Sequence, residues 1–152
     1  MAGISVNDLS EIFLFQLMKP QELKELIESN VLFETFYGPG TKIFSQNERG
    51  ETMYVILSGA VRITRNDFGK EIEIASLTSG DFFGEITLFE YALRTGDAFI
   101  AEESRLVGIN RNDFNQLFLK KPHLAAKILF QMMTEMSRRL RKKNDSGGGL
   151  IF

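Results

Sequence analysis

The sequence has no cysteine and a single histidine, His123, among its 152 residues. Disulfides and thiolate metal sites are therefore excluded, and the lack of cysteine fits a reducing compartment. Metal-dependent enzymes of the β-barrel type need several histidines, and a Ser-His-Asp triad would have to use His123 alone. We therefore expect a protein that is not an enzyme and that holds no metal.

An excess of charge of one sign is also lacking, because 18 basic residues face 20 acidic ones and leave a net charge of −2. That balance disfavours a general nucleic-acid binder. No apolar run approaches the roughly 20 residues of a membrane span, and residues 1–10 lack the basic and apolar segments of a secretory signal. We expect a cytoplasmic protein without a membrane segment.

Aromatic bulk is plentiful, since the chain has 14 phenylalanines and is 43% hydrophobic. A chain of this length and composition can build one domain with a substantial core.

The N-terminal part, residues 8–30, reads as two helices. Asn7 and Asp8 can cap a helix over residues 9–18, and Pro20 suits the first turn of a helix over residues 20–29.

Residues 31–110 change to a period of two, with short apolar runs separated by Gly-rich turns. Asp67-Phe68-Gly69 lies between two such runs and predicts a hairpin. The pattern indicates an α+β, mainly β fold whose centre is an eight-stranded antiparallel jelly-roll barrel. The eight predicted strands are residues 32–36, 42–44, 53–57, 60–65, 71–77, 82–83, 98–101 and 106–109.

Helical periodicity returns over residues 111–144, with a short helix followed by a long one after Pro122. An apolar stripe with alternating spacings of three and four, typical of a coiled-coil seam, runs along the long helix. It consists of Ala126, Leu129, Met133, Met136 and Leu140. The stripe can pack on the chain's own barrel. The helix also has a second apolar row, formed by Leu124, Ile128 and Met132. A helix that is apolar on two sides needs two packing partners, the barrel and another subunit, so we predict a homodimer through the stripe.

Basic residues crowd the end of the long helix at 138–143, where cations complement the helix dipole. That reading is simpler than nucleic-acid binding. A glycine run follows, and we expect residues 145–152 to form a flexible tail. Only eight residues follow Asn144, too few for a helix-turn-helix, so no DNA-binding domain is expected in this chain.

Residues 80–98 form the stretch whose polar residues packing does not explain. A Gly-rich approach leads into a helix-compatible run with Glu85 in its first turn, and Arg94 follows nine residues later. Backbone N–H groups at such a start favour an anion, and arginine offers a forked contact to phosphate. The alternatives are that Glu85 only complements the helix dipole and that Arg94 is a surface arginine. The context favours function, because Gly96 lets the backbone approach closely.

Two blocks, residues 38–61 and 80–114, together resemble cyclic nucleotide-binding domains. The first runs from Gly38-Pro39-Gly40 through an apolar strand that ends in Ser58-Gly59. The second resembles the phosphate cassette of the protein kinase A regulatory subunit, and the long helix resembles the dimerising helix of catabolite activator proteins. The resemblance implies that residues 1–144 form a cyclic nucleotide-binding domain whose ligand is cAMP or cGMP.

The family's functional positions carry over onto the cassette of this chain. The resemblance implies that Glu85 accepts from the ribose 2′-hydroxyl, that Arg94 binds the phosphate, and that Thr95 binds the phosphate or the base. Gly84 and Gly96 would allow close backbone approach. The expected ligand-binding residues are Phe83, Gly84, Glu85, Ile86, Thr87, Arg94, Thr95 and Gly96. The base would be covered by the long helix through one of Met132, Met133, Met136, Arg139 and Asn144.

Two residues depart from the family pattern. Leu93 stands where many relatives have proline, and Asp97 where many have a small or hydroxyl residue. Asp97 can face away from Arg94, pair with it, or repel the phosphate; repulsion at 4 Å would cost about 4 kcal/mol. The alternative function is therefore a degenerate domain that acts as a structural or protein-interaction module without a ligand.

Overall fold

The computed structural model describes residues 3–145, so the predicted tail lies outside the described residues except for its first residue, Asp145. The described part consists of four α-helices, six strands and two short 3-10 helices. The helices are α1 (Val6–Ser10), α2 (Pro20–Glu28), α3 (Arg111–Lys120) and α4 (Pro122–Asp145), and the 3-10 helices are Phe13–Phe15 and Glu85–Leu88. The strands are β1 (Leu32–Tyr37), β2 (Lys42–Phe44), β3 (Thr52–Asp67), β4 (Lys70–Thr78), β5 (Phe82–Phe83) and β6 (Asp97–Asn110).

The first helix is shorter than predicted and begins earlier. Ser5 and Asp8 form a capping box that starts α1, in place of the predicted cap at Asn7. The predicted helix over 9–18 is wrong, because α1 ends at Ser10 and Ile12 adopts an extended conformation (φ −85°, ψ 125°). Ile12 is buried there, so core packing interrupts the helix.

The prediction of eight strands is wrong as well, because two predicted pairs of strands are each continuous. Runs 53–57 and 60–65 join in β3, and runs 98–101 and 106–109 join in β6. Gly59 (φ +105°) lies where the β3–β6 register shifts. A Cβ on Gly59 would lie 2.2 Å from Ser104 Oγ, so this glycine makes a β-bulge and not a turn.

The sheet is antiparallel and open within the described residues. Its main order is β1-β6-β3-β4, while β2 pairs with β6 and β5 pairs with β3. The predicted closed barrel is therefore not found, because β1 and β4 remain separate edges. The mainly-β antiparallel architecture with flanking helices is confirmed. The predicted hairpin joins β3 to β4, with both Phe68 (φ 54°) and Gly69 (φ 81°) in the left-handed region.

The core consists of two clusters, which position α4 and the candidate phosphate cassette, residues 80–98. The first joins the helices to one end of the sheet and includes Leu124, Ile128 and Met132 of α4. The second lies between the strands behind residues 82–98 and includes Ile63 and Phe83. The second apolar row of α4 is therefore the side that packs on the chain itself.

The predicted dimer stripe lies on another side of α4. Leu129 and Met136 are partly buried against the first cluster. Ala126 is exposed, Met133 is 67% exposed and Leu140 is 48% exposed. Phe130, 66% exposed, extends this surface. One side of α4 is thus apolar and open to solvent within the described chain.

Candidate functional site

The cassette begins with a glycine that the backbone requires. Gly84 is left-handed (φ 77°, ψ 17°) and precedes the 3-10 helix Glu85–Leu88. A Cβ at Gly84 would also lie 2.6 Å from Arg94 Nη1. Phe83 anchors the other side, fully buried and stacked on Tyr54 with ring centroids 5.5 Å apart. The turn therefore brings its backbone against Arg94.

Arg94 is buried in the cassette, with only 6% of its surface exposed. Its Nη2 donates to the Thr52 carbonyl at 2.8 Å, and its Nη1 donates to the Gly84 carbonyl at 3.3 Å. A weaker contact joins Nη1 to Thr87 Oγ1 at 3.5 Å. The guanidinium carbon lies 4.0 Å from the centre of the Phe44 ring. Arg94 is therefore a fixed internal group and not a surface arginine.

The Nε atom of Arg94 differs from the two Nη atoms. Within the described part of the chain, Nε is buried and makes no hydrogen bond. Burial lowers the pKa of Arg94, and the nearby Tyr54, Glu48 and Glu85 oppose that shift. A buried cation with an unused donor is unfavourable unless an anion or another acceptor reaches it.

Glu85 is the second buried charge, only 1% exposed. Its Oε1 lies 3.4 Å from Arg139 Nη1 of α4, while Oε2 has no hydrogen-bond partner among residues 3–145. Burial raises the pKa of Glu85 to about 7, with nearby Arg139 and Arg94 opposing the shift. Among the described residues, the site thus contains a donor atom, Arg94 Nε, and an acceptor atom, Glu85 Oε2, that are buried without a hydrogen-bond partner.

Arg139 is the helix residue that reaches the cassette. Its Nη2 donates to the Phe82 carbonyl at 2.6 Å, and its guanidinium carbon lies 4.6 Å from the Phe82 ring centre. The other candidates for covering the base differ in position. Met132 is buried in the core, Met133 points to solvent, Met136 is partly buried against the core, and the side chain of Asn144 lies outside the described residues.

The predicted residues gather around one small cavity of about 30 Å³, roughly the space of one water molecule. Thr95 is exposed at its rim, and Gly96 approaches β3 closely, since a Cβ there would lie 2.4 Å from the Thr64 carbonyl. Of the eight predicted binding residues, all except Glu85 line the cavity. The lining residues are Phe44, Ile63, Phe83, Gly84, Ile86, Thr87, Leu93, Arg94, Thr95 and Gly96.

Asp97 faces away from Arg94. Its Oδ1 accepts from the Gln46 backbone N–H at 2.6 Å, and its Oδ2 lies 3.6 Å from Lys42 Nζ. Asp97 therefore ties β6 to the β2 region and is not among the residues that line the cavity. Leu93 does line it, 52% exposed at the rim.

A larger groove of about 650 Å³ runs between β4 and α4. Arg139 lies in its wall, so the groove begins where Glu85 meets α4. Apolar β4 residues form one side, and charged residues of α4 form the other. The lining residues are Ile74, Ala75, Ser76, Leu77, Asp81, Glu135, Arg138, Arg139, Lys142 and Lys143.

Sequence reasoning missed the groups that hold Arg94. The Thr52 carbonyl is a backbone acceptor, which no residue type reveals. Phe44 belongs to the Ile-Phe pair of the first block. Its contact with Arg94 could have been predicted only by expecting an arginine to stack on this ring. Gly50 ends the turn of that block, and a Cβ on it would lie 2.3 Å from Arg94 Nε.

Within residues 3–145, no three histidine, cysteine, aspartate or glutamate side chains lie close enough to hold a metal ion. The same part of the chain contains no helix that is both long enough and apolar enough to cross a lipid bilayer.

The sequence profile of the cyclic nucleotide-binding domain matches residues 34–121. The chain therefore belongs to the cyclic nucleotide-binding domain family, and the resemblance seen in the two sequence blocks is confirmed.

Individual relatives agree with this assignment. The CRP-like cAMP-activated global transcriptional regulator of Mycobacterium tuberculosis is 28% identical over 95% of this chain and 62% of its own length. The catabolite activator protein of Thermus thermophilus superposes with a TM-score of 0.76 at 27% identity, over 88% of this chain and 61% of that one. A cyclic nucleotide-binding domain from Methylobacillus flagellatus shares the fold, with a TM-score of 0.85 at 17% identity over 96% and 86% of the two chains.

The chain spans between 54% and 62% of the length of the curated relatives compared with it. The Mycobacterium tuberculosis protein is named a transcriptional regulator.

Proposed function

We propose that this chain binds a cyclic nucleotide, cAMP or cGMP, as a signal-sensing regulatory module and not as an enzyme. One observation carries the proposal: the buried Arg94 Nε and the buried Glu85 Oε2 both lack partners within the described chain. A cyclic nucleotide supplies an anionic phosphate for the first and a ribose hydroxyl for the second. The match to the cyclic nucleotide-binding family supports a cyclic nucleotide among the ligands that carry both groups.

The proposed contacts follow the order of the cassette. Arg94 and Thr95 bind the phosphate, Gly84 and Gly96 leave room for close approach, and Glu85 accepts from the ribose 2′-hydroxyl. The phosphate enters by widening the 30 Å³ cavity, and the base lies in the groove beside Arg139. The residues Phe83, Ile86 and Thr87 form the wall behind the phosphate.

The proposed output runs through α4. The open apolar side of this helix is the proposed homodimer surface, made by Ala126, Leu129, Met133, Met136 and Leu140. Arg139 contacts Glu85 from the same helix, so occupation of the site changes the environment of α4. A ligand shifts the dimer only if its affinity differs between the two states. Under this proposal, residues 1–144 form one cyclic nucleotide-binding domain.

A second candidate function is a degenerate domain that works as a structural or interaction module without a ligand. The observation that favours it is the size of the cavity at Arg94, about one water molecule. Two of the Arg94 donors are also already engaged by backbone carbonyls. Under this alternative the cassette is a rigid internal brace.

Isothermal titration calorimetry separates the two candidates. cAMP is the first ligand because the Mycobacterium tuberculosis relative is named as cAMP-activated, and cGMP is the second. We expect saturable heat and a higher melting temperature with at least one of them, because binding to the folded state alone stabilises it. Adenosine, which has no phosphate, is expected to give neither.

Two variants locate the site. Arg94→Ala is expected to weaken binding about 100-fold, or roughly 3 kcal/mol, because it removes a charge-assisted contact to the phosphate. Arg62→Ala is the matched control, since this β3 arginine is about half exposed and lies 4.0 Å from Glu73. Absence of heat with both nucleotides at millimolar concentration would favour the degenerate domain, and unchanged binding by Arg94→Ala would place the ligand elsewhere.

A further inference from the structure

A second buried arginine stands behind the cassette. Arg111 is the first residue of α3, and only 7% of it is exposed. Its Nε donates to the Thr87 carbonyl at 2.6 Å, and its Nη2 donates to the Gly50 carbonyl at 3.0 Å and the Glu90 carbonyl at 3.4 Å. Tyr91 stacks on the guanidinium at 4.2 Å.

Within residues 3–145, the Arg111 side chain donates to three backbone carbonyls and forms no ion pair. A buried cation usually has a carboxylate partner, because its desolvation is costly. Two of the three carbonyls belong to the cassette segment and one to the loop before β3. Arg111 therefore fastens the cassette to that loop and to the start of α3.

Two residues are shared between Arg111 and Arg94. Thr87 accepts from Arg111 through its carbonyl and contacts Arg94 through its hydroxyl at 3.5 Å. Gly50 accepts from Arg111 through its carbonyl, while its Cα side lies so close to Arg94 that a Cβ would fall 2.3 Å from Nε. Thr87 and Gly50 are thus clamped between the two guanidinium groups.

We propose that Arg111 is a positioning residue for the phosphate site: it holds Gly50 and Thr87 at the distance that fixes Arg94 and its free Nε. It also makes α3, and through it α4, part of the scaffold of the site. Arg111 itself lies behind the cassette and does not touch the ligand. The affinity part of this inference rests on the proposed function, whereas the effect on Arg94 does not.

Lysine at position 111 keeps the charge but loses the planar fork that reaches three carbonyls. Arg111→Lys is therefore expected to weaken nucleotide binding at least tenfold, because small displacements of a binding group are costly. The matched control is Arg105→Lys. Arg105 is also a partly buried, multiply bonded arginine, but it joins Asp8 of α1 to Glu34 of β1, away from the cassette. The control is expected to lower the melting temperature and to leave affinity within twofold.

A spectroscopic readout separates positioning from general stability. The Nε–H resonance of Arg94 in ligand-free protein, assigned by its loss in Arg94→Lys, reports the environment of this group directly. We expect it to shift in Arg111→Lys and to stay in place in Arg105→Lys. Tyr91→Leu is a second variant, and it is expected to fold because Tyr91 is 90% exposed. We expect it to shift the Arg94 resonance less than Arg111→Lys does and to weaken nucleotide binding a few-fold.

The outcomes are distinct. If wild-type protein binds no nucleotide but the Arg94 resonance shifts as described, the positioning role stands and the proposed function fails. If Arg111→Lys binds nucleotide within twofold of wild type and leaves the Arg94 resonance in place, the inference is overturned. Should Arg111→Lys fail to fold, an unshifted resonance and unchanged affinity in Tyr91→Leu overturn it instead.

Discussion

Arg139 of α4 donates a hydrogen bond to one oxygen of the Glu85 carboxylate in the cassette. Its Nη1 lies 3.4 Å from Oε1, while Oε2 is buried without a partner in the described chain. A ribose hydroxyl can therefore use Oε2 without displacing Arg139. Under the proposed function Arg139 assists binding, because its positive charge opposes the burial that raises the pKa of Glu85 to about 7. The ionised carboxylate is the stronger acceptor for a hydrogen bond from the ribose hydroxyl.

Arg139→Met should weaken nucleotide binding about tenfold at pH 7. Without the guanidinium the pKa of Glu85 rises further, and more of the protein carries a neutral carboxyl that accepts less well. Calorimetry at pH 6, 7 and 8 should show the affinity of this variant recovering as the pH rises. Arg141→Met is the control, since this α4 residue is exposed and is not among the residues that line the groove. Equal affinity for the Arg139 and Arg141 variants at all three pH values would contradict the prediction.

Glu85 should also make the stability of the free protein depend on pH. Its pKa is about 7 when folded and 4.5 in its ordinary state, so between these values the folded protein retains a proton that the unfolded chain has released. The free energy of unfolding therefore falls as the pH rises from 4.5 to 7, by roughly 3 kcal/mol from this group. Arg139, Arg94 and Glu135 are the charged groups that act on it.

Glu85→Gln removes this contribution. Urea unfolding at pH 5, 6 and 7 should show that the difference in unfolding free energy between the variant and wild type changes steadily in favour of the variant as the pH rises. The comparison cancels the titration of the other carboxyls, which both proteins share. A difference that is constant across the window would mean that Glu85 ionises normally.

The candidate cassette could be proposed from the sequence because its residues are close along the chain. Glu85 and Arg94 lie nine residues apart in one segment, and Gly84 is needed for a left-handed backbone. The strands were also placed correctly by their alternation. Their number was not, because Gly59 reads equally as a turn or as a bulge, and only the contact with Ser104 across the sheet decides between them.

Long-range contacts could not be predicted from the sequence either, because their partners are backbone groups far along the chain. Arg94 is held by the Thr52 carbonyl, 42 positions earlier in the chain, and Arg111 by the carbonyls of Thr87 and Gly50. Backbone acceptors have no residue type, so no pattern predicts them. The direction of Asp97 was left open for the same reason, because its partner is the backbone N–H of Gln46.

Asp97→Ala should cost stability and not affinity. The carboxylate accepts from the Gln46 N–H and lies near Lys42, so its loss leaves a backbone donor unpaired at a cost of about 1–2 kcal/mol. Urea unfolding measures this loss. Calorimetry should give a nucleotide affinity within twofold of wild type. An increase of tenfold or more would show instead that Asp97 repels the phosphate.

The open side of α4 makes a prediction about assembly. An exposed apolar side on a 24-residue helix favours a second copy of the helix as its cover. Met133→Asp should therefore convert a dimer to a monomer, because Met133 is 67% exposed in the single chain and would be desolvated in the dimer. The control is Leu119→Asp on α3, which is 72% exposed and lies outside the stripe. Size-exclusion chromatography with light scattering at micromolar concentration measures the mass of the particle. A monomeric wild-type protein would contradict the predicted dimer. A Met133→Asp protein that remains a dimer would show that the stripe is not the interface.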